Sequence, residues 1–388
     1  MTSPSPNLRR SSQKADLIVV GGGLAGATTA LFAARAGMRV VLFERETLGR
    51  GASGVNAGTL TLQMTRLALI PYALKAHDMW ANAREWLGHD VGVQLCEGLS
   101  VAFTEAEEAL LAERATKRAE AGAPIKLVTT AQACAIEPGL SDHVLSASHA
   151  TLDGFADATL TGVAYRKALL EAGVVLCENT VVRSVQPVGS GFEVETAAGV
   201  AAGRQLLLAG GVWLEEMAGW LGVHLPIKTL VNQLAVTERA PPVMRTVLGI
   251  ASGLLSLKQY PHGTVVIGGG WQGSGDRATN DHRIEPESLI GNVRLAQHTI
   301  PALRQSRIVR AWSGFEAETD DALPAAGPLP GHDGAWILGS VHSGYTSLPY
   351  LGRLMADAIL GRELADPLFP IDRLISPQRP HNAHSIPA

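Results

Sequence analysis

The chain has 388 residues, 46% hydrophobic and 18% charged, so it can bury a large core and is too apolar for its bulk to be disordered. Lys and Arg total 32 against 36 Asp and Glu, a formal net charge of -4, which gives no electrostatic case for nucleic acid or an anionic membrane surface. Three cysteines, at 96, 134 and 177, are too few and too scattered for a disulfide framework or a zinc site, and they point to a reducing, cytoplasmic setting.

Residues 1–14 are Ser-, Pro- and Arg-rich, lack the apolar core of a signal peptide and read as a loose tail. The uncharged run 17–34 is interrupted by Gly21, Gly22, Gly23 and Gly26, which favours strand–turn–helix over a membrane span; no integral membrane segment is expected. A strand is predicted over 16–20, a helix over 24–36 closed by Gly37, and a second strand over 39–43. Residues 50–62 read as a Gly/Ser/Asn-rich loop, and a helix is predicted from 71 to 87. Thr104 and Glu107 form a capping-box pattern before a charged helix that ends near Gly122. Next come a helix over 157–172, strands over 174–176, 181–186, 192–196 and 205–209, and a helix starting near Trp213. From residue 226 the texture turns to antiparallel strands at 228–237, 253–259 and 264–268, then a helix over 287–299 and a strand over 306–315. A short buried strand over 335–338, a glycine-containing loop and a helix over 347–360 close the pattern. Parallel-sheet texture thus brackets a β-meander, which predicts one nucleotide-binding domain assembled from separated pieces with a second domain inserted.

The strongest motif is Gly21-x-Gly23-x-x-Gly26, following a strand, opening a helix and completed by Glu44 at the end of the second strand. Gly21 permits the tight turn, Gly23 lets backbone approach a pyrophosphate, and Gly26 lets the helix pack on the strand. The first helical residues, Leu24 and Ala25, offer free N–H groups to phosphate. Glu44 can accept both hydroxyls of an adenosine ribose and would repel a 2′-phosphate. After Arg45 the chain leaves the βαβ pattern for a loop containing Ala52, Ser53, Asn56, Ala57 and Gly58, the kind of segment that a flavin extending beyond the pyrophosphate requires.

Together with the stretches 180–182, 207–213, 312–327 and 339–349, these motifs resemble the D-amino-acid-oxidase-like flavoproteins, the family of glycine oxidase, sarcosine oxidase and the flavin subunits of opine dehydrogenases. The resemblance spans residues 16–362. It implies an α/β fold: a discontinuous Rossmann-like FAD-binding domain (15–87, 150–225 and 323–370) with an inserted α+β, mostly antiparallel substrate domain (88–149 and 226–322), and a C-terminal tail from 371 to 388. It also implies that Val182 bonds the adenine through its main chain, that Gly210 and Trp213 line the pyrophosphate, and that Gly344, Tyr345 and Thr346 lie against the isoalloxazine. The implied reaction oxidises a C–N bond by hydride transfer to flavin N5, giving an imine that hydrolyses. The flavin carries that chemistry, so no catalytic side chain is assigned. With no cysteine near Trp312 to tether it, FAD is expected to be non-covalent.

Departures from the family pattern bear on the substrate. Glycine-oxidase-like members place an arginine for the substrate carboxylate where this chain has Glu316. His342 falls on the substrate side of the pocket, Lys258 is a candidate replacement cation, and Trp271 stands near the position of an oxygen-activating lysine. Plainer readings are an ion pair for Glu316, a structural histidine for His342 and a solvated strand lysine for Lys258. The expected substrate is a small amine or amino acid, with a secondary amine or N-substituted amino acid favoured. The alternative is a flavin subunit that passes electrons to a partner protein rather than to oxygen.

Overall fold

The computed structural model describes residues 14–342 and 344–375. The predicted N-terminal tail, Lys14 apart, and residues 376–388 lie outside them. The strand Ala15–Val20 is the centre of the first of two eight-stranded sheets. It pairs in parallel with Val40–Phe43 on one side and Gly199–Leu208 on the other. Val175–Cys177 and Ala335–Gly339 extend the parallel part outward. Antiparallel additions are the strands Val182–Val188 and Gly191–Thr196 at one end and Ala325–Pro328 beside Ala335–Gly339. Leu17, Ile18 and Val19 are fully buried, as befits a strand covered on both faces. Helix Leu24–Arg35 covers one face and crosses helix Leu348–Ile359 closely, since a Cβ on Gly352 would stand 2.6 Å from Thr28 Cβ.

The second sheet runs Ile308–Glu318, Lys228–Thr237, Val265–Gly268, Ser256–Gln259, Val247–Ile250, Gly98–Ala102, Ser146–Ala150, Ile125–Thr129. Every pairing in it is antiparallel except Val247–Ile250 with Gly98–Ala102. Its strands come from residues 98–150 and 228–318, two stretches separated by strands of the first sheet. Among the described residues no helix is long and apolar enough to cross a membrane.

Several elements differ from the sequence reading. The helix expected over 71–87 is two, Ile70–Ala81 and Ala83–Trp86, because Asn82 turns its amide back onto the Asp78 carbonyl (3.0 Å). The loop 50–62 contains a helical turn, Ala52–Val55, and a short strand, Thr59–Leu60. At Thr104 the capping is partial: its hydroxyl accepts from Glu107 N–H, but Glu107 accepts from Phe103 N–H, one residue too early for a reciprocal box. Residues 371–375, assigned to the tail, fold back as the turn Asp372–Ile375 with Ile371 and Leu374 buried. Strands Gly98–Ala102 and Ser146–Ala150 went unread because every residue in them is buried and most are small, so no alternation marks them.

Candidate active site

The turn after Ala15–Val20 is built from close contacts that exclude side chains. Gly21 has φ +113°, and a Cβ there would lie 2.4 Å from the Ala209 carbonyl oxygen. A Cβ on Gly26 would lie 2.0 Å from the Gly21 carbonyl oxygen, so helix and strand meet at backbone distance. Gly23 is the N-cap and carries no side-chain cap; Leu24 N–H instead donates to Ser53 Oγ at 2.9 Å. Ala25 is buried in the first turn. The half-buried Glu44 carboxylate accepts from the Gly22 and Glu46 N–H groups at 2.7 and 2.8 Å. Burial raises its pKa, and those two amides oppose the rise. The Glu44 carbonyl accepts from Thr180 N–H at 2.8 Å, which brings the start of strand Val182–Val188 beside the acid. The Arg45 guanidinium lies 3.9 Å from the Trp213 ring centre. Gly210 faces Met217, whose flexible end a Cβ would strike at 2.3 Å. An acid at the strand end, a glycine turn without side chains and the donors of a helix start together fit the adenosine and pyrophosphate of FAD.

The loop after Arg45 continues this cradle. Asn56 clamps it, donating to the Ala52 and Ser53 carbonyls (3.0 and 2.7 Å) and accepting from Gly58 N–H. Ala57 lies between the two clamped residues. Gly58 has φ +71°, and a Cβ there would lie 2.0 Å from the Ala156 carbonyl oxygen. Strand Ile308–Glu318 crosses over this loop: Trp312 Nε1 donates to the Val55 carbonyl at 2.7 Å, and Gly314 admits the Val55 side chain. Thr346 binds the loop to the C-terminal segment, its hydroxyl accepting from Thr61 N–H (3.1 Å) and its carbonyl from Trp80 Nε1 (3.0 Å). Gly344 N–H donates to the Val341 carbonyl at 2.8 Å. The Tyr345 side chain turns into the core, donating to Thr161 Oγ1 (2.8 Å) and stacking on Trp80 with 4.9 Å between ring centres. Of Tyr345, then, only the backbone is available to a flavin edge.

Beside these loops lies a cavity of about 270 Å³. Its lining includes Thr61, Asp153 and His342, but also three arginines from distant segments, Arg66, Arg114 and Arg118. Arg114 and Arg118 are one turn apart on helix Glu105–Glu120. Burial, together with repulsion from Arg114 and Arg66, lowers the Arg118 pKa to about 10. Asp153 is buried, accepts from Thr61 Oγ1 (2.6 Å) and Leu62 N–H (2.8 Å), and burial pushes its pKa up to about 7.

Of the four substrate-pocket residues read from the sequence, only His342 lines this cavity. Its Nδ1 lies 3.5 Å from Glu316 and 3.9 Å from Glu318 and has no hydrogen-bond partner. Glu316 stands behind it and accepts from Asn232 Nδ2, so the position at which the resemblance implies an arginine carries an acid facing a histidine. Lys258 is neither a pocket cation nor a solvated lysine. It is fully buried, donates to Thr59 Oγ1 under the strand that follows Gly58, and burial lowers its pKa to about 7. Trp271 packs its ring against Gly291 of helix Pro286–Thr299 and does not face the cavity. The arginines went unread because Arg114 and Arg118, at i and i+4, are drowned in a helix charged along most of its length.

Residues 16–358 match the protein family described as FAD dependent oxidoreductase. The chain is 28% identical over 364 residues to glycine oxidase of Geobacillus kaustophilus, covering 92% of this chain and 95% of that protein. It is 30% identical over 365 residues to glycine oxidase of Pseudomonas aeruginosa, covering 90% and 96%. It is 28% identical over 367 residues to a subunit of the opine oxidase of Rhizobium meliloti, covering 91% and 95%. Its fold superposes on the crystal structure of glycine oxidase from Geobacillus kaustophilus with a TM-score of 0.87 at 26% identity, covering 95% of this chain and all of that one.

Proposed function

The chain belongs to the FAD dependent oxidoreductase family, and from that premise we propose that it oxidises the C–N bond of a secondary amine or N-substituted amino acid. Bound FAD supplies the hydride acceptor, and the imine product hydrolyses in water. The observation that carries the choice of substrate is the acid at the family's arginine position: Glu316, held by Asn232 and 3.5 Å from His342 Nδ1. A carboxylate there repels the carboxylate of a simple amino acid and attracts an ammonium. His342, which lines the cavity in front of Glu316, is placed to hydrogen-bond the substrate amine. Residues 21–26 with Glu44 would hold the dinucleotide, with Val182 at the adenine and Gly210 and Trp213 along the pyrophosphate. Gly58 and the backbone of residues 344–346 would hold the flavin ring. We assign the FAD-binding role to 15–87, 150–225 and 323–370 and the substrate role to 88–149 and 226–322. FAD is taken to be held without a covalent tether and the protein to work in the cytoplasm.

A second reading is supported by the relatives named as opine oxidase subunits. In it the flavin is reduced here and reoxidised through a partner chain. One experiment tests both. Purified protein is mixed anaerobically with glycine, sarcosine, D-amino acids, opines and iminodiacids, and flavin bleaching near ~450 nm is followed before air is admitted. Bleaching by secondary amines above glycine and primary D-amino acids is the expected result; bleaching by primary D-amino acids alone would overturn the substrate assignment. Peroxide on admitting air marks a stand-alone oxidase. A reduced flavin that persists in air marks the partner-dependent enzyme.

A further inference from the structure

We propose that Ser256 and Thr59 form a proton relay that carries the proton of the substrate ammonium from the cavity to the buried amine of Lys258. The inference rests on the reading of the chain as a C–N oxidase and names the group that makes its substrate ready. Ser256 and Lys258 are two apart on strand Ser256–Gln259 and share a face, while Leu257 packs in the core on the other. Their shared face meets Thr59, in the strand that follows Gly58. Ser256 lines the cavity together with His342. Its hydroxyl lies 3.1 Å from Thr59 Oγ1, with either oxygen able to donate, and Lys258 Nζ donates to the same Thr59 Oγ1. The Thr59 carbonyl accepts from the Thr346 hydroxyl at 3.4 Å, which ties the middle of the relay to the flavin-facing segment.

Lys258 is fully buried, and among the described residues no carboxylate lies within salt-bridge distance of it. An ammonium sealed in that place without a counter-ion is costly. Burial therefore lowers its pKa to about 7, and the neutral amine has a lone pair with which to accept a proton. Its neighbours do not compete for that proton. Strands Val247–Ile250 and Val265–Gly268, on either side, bring no titratable side chain. The Cys96 thiol is pushed up to about 11 by burial, with Asp153 and Glu137 adding to the rise. The Tyr260 hydroxyl is raised above its usual range, also by burial. At the cavity end stand Asp153, His342 and the arginines 66, 114 and 118. In the transfer the ammonium N–H bond breaks and its electron pair stays on nitrogen. Ser256 takes that proton as it passes its own to Thr59, and Thr59 passes its own to the lone pair of Lys258, forming a new N–H bond. A neutral amine and a lysine ammonium result, with no electron moved between molecules, and the amine is then ready to lose hydride. The proton returns by the same hydroxyls once the product has left.

The test uses the FAD-loaded protein. Anaerobic bleaching by the secondary amine of the panel that reacts fastest is followed from pH 6 to 10. Thr59→Val and Ser256→Ala cut the relay and leave Lys258 in place. They are expected to bleach at least about tenfold more slowly than wild type at pH 7, with the gap closing toward pH 10 as the amine loses its proton to water unaided. Thr59→Ser, which keeps the hydroxyl, should restore the wild-type profile. Asp153, His342 and the arginines are intact in all three variants, so the difference belongs to the relay. Relay variants slowed equally at every pH, or not slowed, overturn the proposal. A second readout needs no turnover: carbon NMR of the labelled lysine side chains across the same pH range. The Lys258 signal is identified by its absence in Lys258→Met or, should that variant not fold, by its shift in Thr59→Val. A midpoint near 7 is expected, and a midpoint above 9 overturns the proposal, because the lysine would already hold its proton. The outcomes are separate from those of the oxidase reading. Bleaching by no amine at all removes C–N oxidation, whereas bleaching with the wild-type pH profile in Thr59→Val removes the relay alone.

Discussion

The nucleotide end and the substrate cavity are built in opposite ways. The nucleotide end is shaped chiefly by backbone, its main turn and loop adjacent in sequence between residues 15 and 58, and its geometry depends on the absence of side chains at Gly21, Gly26 and Gly58, which pack against backbone within the turn and from residues 156 and 209. The cavity is lined by residues gathered from separate stretches, 61–66, 99–118, 148–153, 247–256 and 342. Backbone geometry tolerates almost no substitution, so this end keeps its spacing. A pocket of residues gathered from separate segments can change one member at a time while the fold stays the same. The difference teaches that family membership fixes the redox chemistry of this chain more firmly than it fixes the substrate.

The most damaging way to break the nucleotide end is Gly26→Ala, whose new methyl would sit 2.0 Å from the Gly21 carbonyl oxygen. Backbone cannot yield as a side chain would, and the helix must move off the strand. FAD affinity is expected to fall by about a hundredfold or more, roughly 2.7 kcal/mol, read as colourless protein and as a fluorescence titration with added FAD. A yellow variant of unchanged affinity would mean that the contact does not shape the cradle.

Lys258 lies between the two regions and gives the next effect, on stability. Its folded pKa is about 7 against an ordinary 10.5. Below pH 7 both folded and unfolded chains are protonated there and the fold bears the whole cost of the buried charge. Between pH 7 and 10.5 the unfolded chain binds more protons than the folded one, so stability from this group rises with pH. Lys258→Met removes the group, so the variant should be more stable than wild type at pH 6 and the gap should close as pH rises to 10. The gap scales as about 1.4 kcal/mol per pKa unit. Melting curves across that range check it; a gap independent of pH would assign the change to packing alone.

Glu44→Ala tests the acid proposed to position the ribose. It strips acceptors from the Gly22 and Glu46 amides and from the ribose hydroxyls, with an expected loss of about tenfold in FAD affinity, on the order of 1.4 kcal/mol. Equal affinity by fluorescence titration would place the ribose elsewhere.

How much of this was legible in the sequence follows the same division. The turn at Gly21–Gly26, Glu44 and the parallel strands around Ala15–Val20 could be read because each leaves a local mark: a glycine spacing, a β-branched run, an acid at a strand end. Strands Gly98–Ala102 and Ser146–Ala150 left none, being buried on every residue. Lys258 was misread in both directions, because strand alternation distinguishes one face from the other but not a pocket from a sealed interior. Trp271 was placed by alignment with a lysine and turned out to serve packing against Gly291. The three arginines could not be gathered from spacing, since what joins Arg66 to Arg114 and Arg118 is the folded sheet between them.

The smallest effect comes from a side-chain stack that reinforces the backbone cradle. Arg45 follows the ribose acid directly, and its guanidinium covers the Trp213 ring at 3.9 Å. Trp213 is itself anchored, its Nε1 donating to the Arg277 carbonyl at 3.2 Å. The stacked pair therefore braces the end of strand Val40–Phe43 against the turn Gly211–Trp213. Arg45→Ala removes the brace but no glycine contact and no acceptor. A half-exposed cation–π pair contributes about 0.5–1 kcal/mol, so FAD affinity should weaken by only about two- to fivefold. Arg45→Lys, which keeps the charge and loses the stacking plane, should recover part of it. If Arg45→Ala instead cost as much as Gly26→Ala in the same titration, side chains rather than backbone would be holding the nucleotide, and the division between the two ends of the molecule would fail.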